Sequence, residues 1–356
     1  MTDHQGPNFE HYRQTRYFPN LDGLRFICIS MVLWHHAQPF ERGTIQLFDR
    51  GFLGVDFFFV LSGFLITTLL LRESDQRGQF SIRNFYLRRI LRIVPVYFFV
   101  VSAVIAYYGL VKGEQIGHLV PYYYLFLSNF LPEHIPTLSI TWSLSVEEQF
   151  YMIWPLALLL VSRKWLPAAL TIVIALNVAG GAGWLGNGSW AAGQLVFALP
   201  NSTYAPILMG ALLAMVLHSQ NGFERLSAVV GHPIATPILL LALIAVLQFT
   251  PENVLGLPNF VIHSTMTLFL AALVVQPTSI LSGFLQSPAV RRVGVVSYGI
   301  YLYHLIGLDI TGRVLGKLGM VNDWSLLLGY SIVSWAVAEI SFRTLEAFFR
   351  RFRPKG

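Results

Sequence analysis

Apolar residues in this chain come in runs long enough to cross a bilayer, and that feature removes most folds from consideration. A membrane-spanning helix needs about 20 largely apolar residues at ~1.5 Å of rise each. Ten stretches read this way: about 21–40, 52–71, 91–111, 144–162, 166–184, 203–218, 233–249, 259–277, 293–312 and 325–347. The runs are continuous rather than alternating, which favours helices over the strands of a membrane barrel. Composition agrees, since hydrophobic residues make up 54% of the 356 and charged residues 12%, against about 25% charged in soluble domains. A soluble globule this poor in charge has no way to cover its surface, and a disordered chain carries far less apolar surface. The single cysteine, Cys28, excludes a disulfide scaffold. The expected fold class is all-α: a polytopic membrane helical bundle of about ten transmembrane helices.

The shortest expected span is 203–218, and the Gly- and Pro-broken stretch 185–202 before it reads as re-entrant or interfacial. The link 112–143 holds an aromatic run, Tyr122 to Phe130, bounded by Pro121 and Pro132; it is too short to span and is expected at the interface. Cations orient the bundle. They gather in alternate links: Arg13 and Arg16 in the leading tail, a five-arginine set between Arg72 and Arg89, then Arg163 with Lys164, Arg291 with Arg292, and the tail from Arg350 to Lys355. The link between the ninth and tenth spans is an imperfect case, with Arg313 and Lys317 against Asp323. Both termini are therefore expected in the cytoplasm, with 1–20 and 349–356 as tails and 21–348 as the membrane domain. The net charge of +6 belongs to this bias and to anionic lipid rather than to nucleic acid. The first apolar run lacks a small-residue cleavage pattern and is expected to stay as span one. No internal repeat and no sizeable extramembrane domain is evident.

Ionisable residues at bilayer depth are costly and mark functional candidates. In span one, Arg25 and His36 are eleven positions apart, three turns plus about 20°, so they share a face about 16 Å apart along the axis; His35 points elsewhere. A histidine there suits a general base near neutral pH, or is an interfacial ring bonded to backbone. In RGFLGVDFFFVLSGF, Gly51, Gly54 and Gly63 permit close helix approach, while Asp56 and Ser62 are polar in an apolar run. Arg88, Arg89 and Arg92 cluster where a cytoplasmic link enters the third span, with Pro95 one turn on; they suit a polyphosphate, or lipid headgroups. In TWSLSVEEQFYMIWP, Ser143, Glu147 and Tyr151 are spaced i,i+4, and either Glu147 or Glu148 can orient a histidine, move a proton, or simply favour the helix start. His304 sits in the ninth span beside Tyr301 and Tyr303, as a weaker candidate or a structural ring. No metal-ligand spacing, phosphate loop or serine triad is evident, and Cys28 reads as a buried small hydrophobe.

Together these segments resemble the acyltransferase-3 family of bacterial integral-membrane O-acyltransferases, over about 17–350. LDGLR with His36 resembles the family's arginine–ten residues–histidine motif, and GFLGVDFFFVLSGF its second-span glycine motif. RRILRIVPVYF is similar to its RxxR motif at Arg89 and Arg92, TWSLSVEEQFY to its glutamate motif at Glu147, and SYGIYLYH to its late-span signature. His35 departs slightly, at a position that is often aromatic. With no appended esterase-like domain, the chain resembles a stand-alone member.

The resemblance implies a multi-pass protein of the bacterial inner membrane with no tightly bound cofactor. It implies that acyl-CoA, often acetyl-CoA, is the co-substrate, and that a hydroxyl of a carbohydrate, lipid-linked glycan or antibiotic accepts the acyl group. In that reading His36 is the general base and Arg25 positions groups on the same helix face. Arg89 and Arg92, with Arg88 near, hold the CoA phosphates, and Glu147 supports the base or the acceptor. Asp56, Ser62, Ser143, Tyr151 and His304 are supporting candidates. A proton-coupled transporter or flippase is the competing class, because intramembrane Arg, His and Glu suit it too.

Overall fold

The computed structural model describes residues 7–43, 45–186, 188–198, 204–251 and 254–354. Helices of six residues and more are numbered here: α1 Phe9–Gln14, α2 Pro19–Ala37, α3 Leu53–Arg77, α4 Ile82–Ala106, α5 Thr141–Leu160, α6 Leu166–Gly181 and α7 Ala205–His218. There follow α8 Gln220–Val230, α9 Ala235–Phe249, α10 Leu257–Val275, α11 Pro288–Val295, α12 Ser297–Leu318, α13 Asp323–Arg343 and α14 Leu345–Arg350. The fold is nearly all-α. Each of the ten expected stretches holds a helix. By length and apolarity, four helical stretches can cross a membrane: Gln46–Arg77, Ile82–Val111, Leu257–Val275 and Asp323–Arg350. Six can if two bent pairs each count once, α8 with α9 at 75° and α11 with α12 at 73°. The helices α2 and α5 are not among them, although they carry Arg25, His35, His36, Ser143, Glu147 and Tyr151.

One expectation changes, and two stretches gain detail. The third span starts earlier, at Ile82, where the Ser81 side chain caps the helix by accepting from Asn84 N–H at 3.3 Å, so Arg88 and Arg89 lie on the helix itself. The stretch before α7 forms a hairpin where described: Ser189–Ala192 (β1) pairs antiparallel with Leu195–Ala198 (β2), and Trp190 stacks on Phe197 at 4.3 Å. Residues 199–203 of that stretch lie outside the described residues. The aromatic run in the 112–143 link turns one ring, Tyr123, inward, while Leu125 stays 61% exposed. Tyr123 is fully buried, the Tyr97 hydroxyl donates to its carbonyl at 2.9 Å, and Phe126 stacks on Tyr97 at 4.5 Å.

The expected close approaches are present. A Cβ on Gly63 would overlap the Ile207 carbonyl, and one on Gly210 the Val60 carbonyl, so α3 and α7 cross backbone to backbone. Gly51 and Gly54 bring the start of α3 and the turn before it equally near α2, at His35 and Cys28. The bend between α11 and α12 is braced by Arg292, which forks onto Glu339 of α13 at 2.6 and 2.9 Å.

Because Gly63 has no room for a methyl group, Gly63→Ala is expected to destabilise the fold by about 1–3 kcal/mol. Gly312→Ala, whose nearest neighbour is Leu326 at 3.9 Å, is expected to be neutral or better. Thermal unfolding in detergent reads both, and equal midpoints would contradict this account of the crossing.

Candidate functional site

Helices α2, α3, α4, α5 and α12 enclose a cavity of about 260 Å³. Its lining follows α3 from Val55 to Arg72, roughly 25 Å of helix at 1.5 Å per residue. At one end stand Arg16 and Arg72, at the other Ser143 and Tyr301, and between them Arg25, Arg89 and Arg92. Five arginines and two carboxylates, Asp22 and Glu147, line it. That leaves an excess of three formal positive charges, which favours an anionic occupant where water is scarce.

Each group is held by a local rule. Arg25 Nη1 donates to Asp22 Oδ1 at 2.7 Å, an i,i+3 pair on the first turns of α2, and the Tyr17 hydroxyl donates to the other Asp22 oxygen at 2.5 Å. Glu147 Oε1 accepts from Tyr151 OH at 3.0 Å along α5 and from Ser62 Oγ across to α3. The Arg89 guanidinium stands 5.2 Å from the Tyr151 ring centroid, a cation–π contact that ties α4 to the same carboxylate. Arg72 donates to the carbonyls of Thr15 and Tyr12 and lies over the Tyr12 ring at 4.9 Å, clasping the leading segment to the cavity rim.

The histidines sit just beyond the upper end. Gly51, four residues before Val55, faces the His35 Cβ. His36 itself does not line the cavity. Its Nδ1 is 2.9 Å from the Val32 carbonyl, so in the neutral ring Nδ1 donates and Nε2 is left as an acceptor. The His36 ring centroid lies 4.7 Å from His304, and His304 lies 5.5 Å from Tyr301, a cavity residue. His304 is fully buried; its Nδ1 meets the Tyr301 carbonyl at 2.6 Å and its Nε2 has no hydrogen-bond partner. His35 turns away, toward Phe52 at 5.5 Å.

The structure thus brings together Arg25, Arg89, Arg92, Ser62, Ser143, Glu147 and Tyr151, with His304 and His36 edge to face behind the end wall. Ser143 supports that wall, 2.7 Å from the Tyr301 hydroxyl. Glu147, not Glu148, is the carboxylate lining the cavity. Two candidates fall elsewhere. Arg88 pairs with Glu73 at 2.8 Å and does not line the cavity. Asp56 meets His263 Nε2 of α10 at 2.8 Å, on the opposite side of α3, and His263 is 1% exposed. The sequence reading missed Asp22, Tyr17, Arg16 and Arg72. The i,i+3 spacing of Asp22 and Arg25 was a local signal for the first; nothing local pointed to Arg72 reaching back 57 residues to Thr15. Among the described residues no group of three or more His, Cys, Asp or Glu is placed to hold a metal ion.

A family model described as an acyltransferase domain matches residues 18–342. The chain is 30% identical over 365 residues to peptidoglycan O-acetyltransferase OatA of Listeria monocytogenes, covering 94% of this chain and 56% of that protein. It is 30% identical to a Bacillus subtilis protein named a candidate peptidoglycan O-acetyltransferase, covering 93% and 54%. It is 27% identical to a Staphylococcus aureus protein named a candidate O-acetyltransferase, covering 96% and 59%. The chain therefore spans a little over half the length of these relatives. No solved structure matches it.

The Asp56–His263 contact leads to a stability prediction. Removing the carboxylate leaves the buried His263 Nε2 without its hydrogen-bond partner, so Asp56→Ala is expected to lower the thermal midpoint by an amount matching about 1–3 kcal/mol. An unchanged midpoint would show that the pair does not support the α3–α10 contact.

Proposed function

The chain belongs to the acyltransferase-3 family, and from that premise we propose that it is an integral-membrane O-acyltransferase moving an acyl group, acetyl foremost, from acyl-CoA to a hydroxyl of a glycan. The observation that carries this reading is the arginine-lined cavity that ends against the His304–His36 pair. Its cation-rich end, with Arg16 and Arg72, is the end where the leading tail docks. We place that end at the cytoplasmic face of a bacterial inner membrane, with ten crossings and both termini on that side, because arginines and lysines concentrate in those links. Two of the relatives carry peptidoglycan in their names, which supports a glycan acceptor.

Each residue then has a task. The nucleotide of the donor stays at the mouth, its phosphates held by guanidiniums, with Arg89 and Arg92 gripping the pyrophosphate. The extended pantetheine arm runs along α3 toward Ser143 and Tyr301, the wall that must move aside for the thioester to meet His36. The acceptor hydroxyl enters from the opposite face. His36 Nε2 takes the hydroxyl proton as the oxygen attacks the thioester carbon. The new C–O ester bond forms, the C–S bond breaks, and the proton passes to the departing CoA thiolate. Arg25, fixed by Asp22, polarises the middle of the cavity. Glu147, fixed by Ser62 and Tyr151, balances Arg89 and Arg92 and keeps them in register. Arg88, already engaged by Glu73, contributes little to donor binding.

Membranes carrying the protein, given labelled acyl-CoA and cell-wall glycan, are expected to release CoA and label the glycan; movement of unmodified glycan without CoA consumption would overturn the proposal. His36→Ala is expected to lower kcat by about 10²–10⁴-fold with the donor KM little changed, whereas His35→Ala retains most activity; equal loss in both would refute the assignment of the base. Arg89→Ala and Arg92→Ala are each expected to raise the donor KM roughly tenfold or more, and Arg88→Ala much less. A donor KM indifferent to all three would remove the phosphate grip.

A further inference from the structure

A second pocket, of about 760 Å³, lies outside the site just described. It opens on the same cation-rich end of the bundle, between the starts of α6 and α8 and the end of α7. Arg163, Lys164 and Arg225 line it, and no carboxylate does. Asp75 lies behind, engaging Arg163 at 3.1 Å and His218 at 2.9 Å, and it also meets Arg13 at 3.5 Å. One carboxylate is thus shared among three partners, and Lys164 and Arg225 lie outside that cluster.

The backbone adds to the charge. Pro167 lies in the first turn of α6, and Ser219, Asn221 and Gly222 form the cap and first turn of α8; all four line the pocket. Two helix amino-termini, of 16 and 11 residues, therefore converge on a space bordered by three cations. The positive ends of both helix dipoles favour an anion there, although Gly222 N–H already donates to Ser219 Oγ at 3.1 Å. The remaining wall is apolar, from Met215, Val216 and Leu226. Helix α8 bends 75° from α9 and keeps Phe223 inward against Phe9 and Tyr12, at 5.5 and 5.4 Å. Trp165, 64% exposed beside Lys164, is the kind of side chain that settles at a membrane–water boundary.

We propose that this pocket binds the phosphate headgroup of an anionic phospholipid, with Lys164, Arg225 and the two helix starts on the phosphate and the apolar wall along the upper acyl chain. A free phosphate shares the headgroup chemistry but leaves that wall unused, and a zwitterionic lipid adds a cation where three already stand. None of this depends on the acyl-transfer reading, and Lys164, Arg225 and Asn221 lie outside the arginine-lined cavity.

The test uses the full chain, delipidated in detergent and titrated separately with dioleoyl phosphatidylglycerol, dioleoyl phosphatidylcholine and inorganic phosphate, with adducts counted by native mass spectrometry. Phosphatidylglycerol is expected to bind most tightly. The K164Q/R225Q double variant is expected to bind it roughly thirtyfold more weakly, at about fivefold per cation lost. Asn221→Glu gives an independent readout should the double variant fail to fold. A carboxylate in the first turn of α8 suits the helix dipole and leaves the fold intact, yet it repels the phosphate, so binding weakens several-fold. The proposal is overturned if phosphatidylglycerol binds both folded variants as it binds the parent, or if phosphatidylcholine or inorganic phosphate binds the parent as tightly.

Discussion

A guanidinium enclosed by a helical bundle in lipid must find acceptors, because the medium supplies none. That constraint orders the whole molecule. Arg50 spends its donors on the carbonyls of Leu247, Thr250 and Pro251, stitching the end of α9 to the segment before α3. Arg292 forks onto Glu339, Arg88 reaches Glu73, and Arg72 takes two carbonyls of the leading segment. Against that background the arginine-lined cavity stands out for its shortage of carboxylates. A surplus of cations in an enclosed space is stable only beside water or an anion, and a polyphosphate meets that need with several oxygens at once.

Helix packing sets the position of this surplus. The backbone contact at Gly63 and Gly210 fixes α3 against α7, which leaves the Val55–Arg72 side of α3 to face α2, α4 and α5. One helix therefore carries the rigid crossing on one side and the cavity wall on the other, and Ser62, one residue from the crossing glycine, holds Glu147. The carboxylate inherits its placement from that backbone crossing.

Much of this was legible in the linear sequence where spacing is local. Arg25 faces the cavity from α2, and Tyr151 holds Glu147 one helical turn away, as their spacing indicated. The placement of His36 was legible only in part. It shares a helix face with Arg25, yet it stands behind His304 rather than on the lining, because the cavity closes at Tyr301. Pairings across the chain left no such trace. Asp56 and His263 are 207 positions apart, and Arg88 and Glu73 sit on different helices. The hairpin at Ser189–Ala198 was hidden because its apolar, aromatic sequence satisfies either a strand or an interfacial segment. The inward packing of Tyr123 was hidden because a partner for its backbone carbonyl, Tyr97, lies on α4.

The clasp formed by Arg72 has a practical side. One side chain joins the carbonyls of Tyr12 and Thr15 to the rim that also bears Arg16. Bulk fused close ahead of Phe9 would therefore pull on the doorway itself.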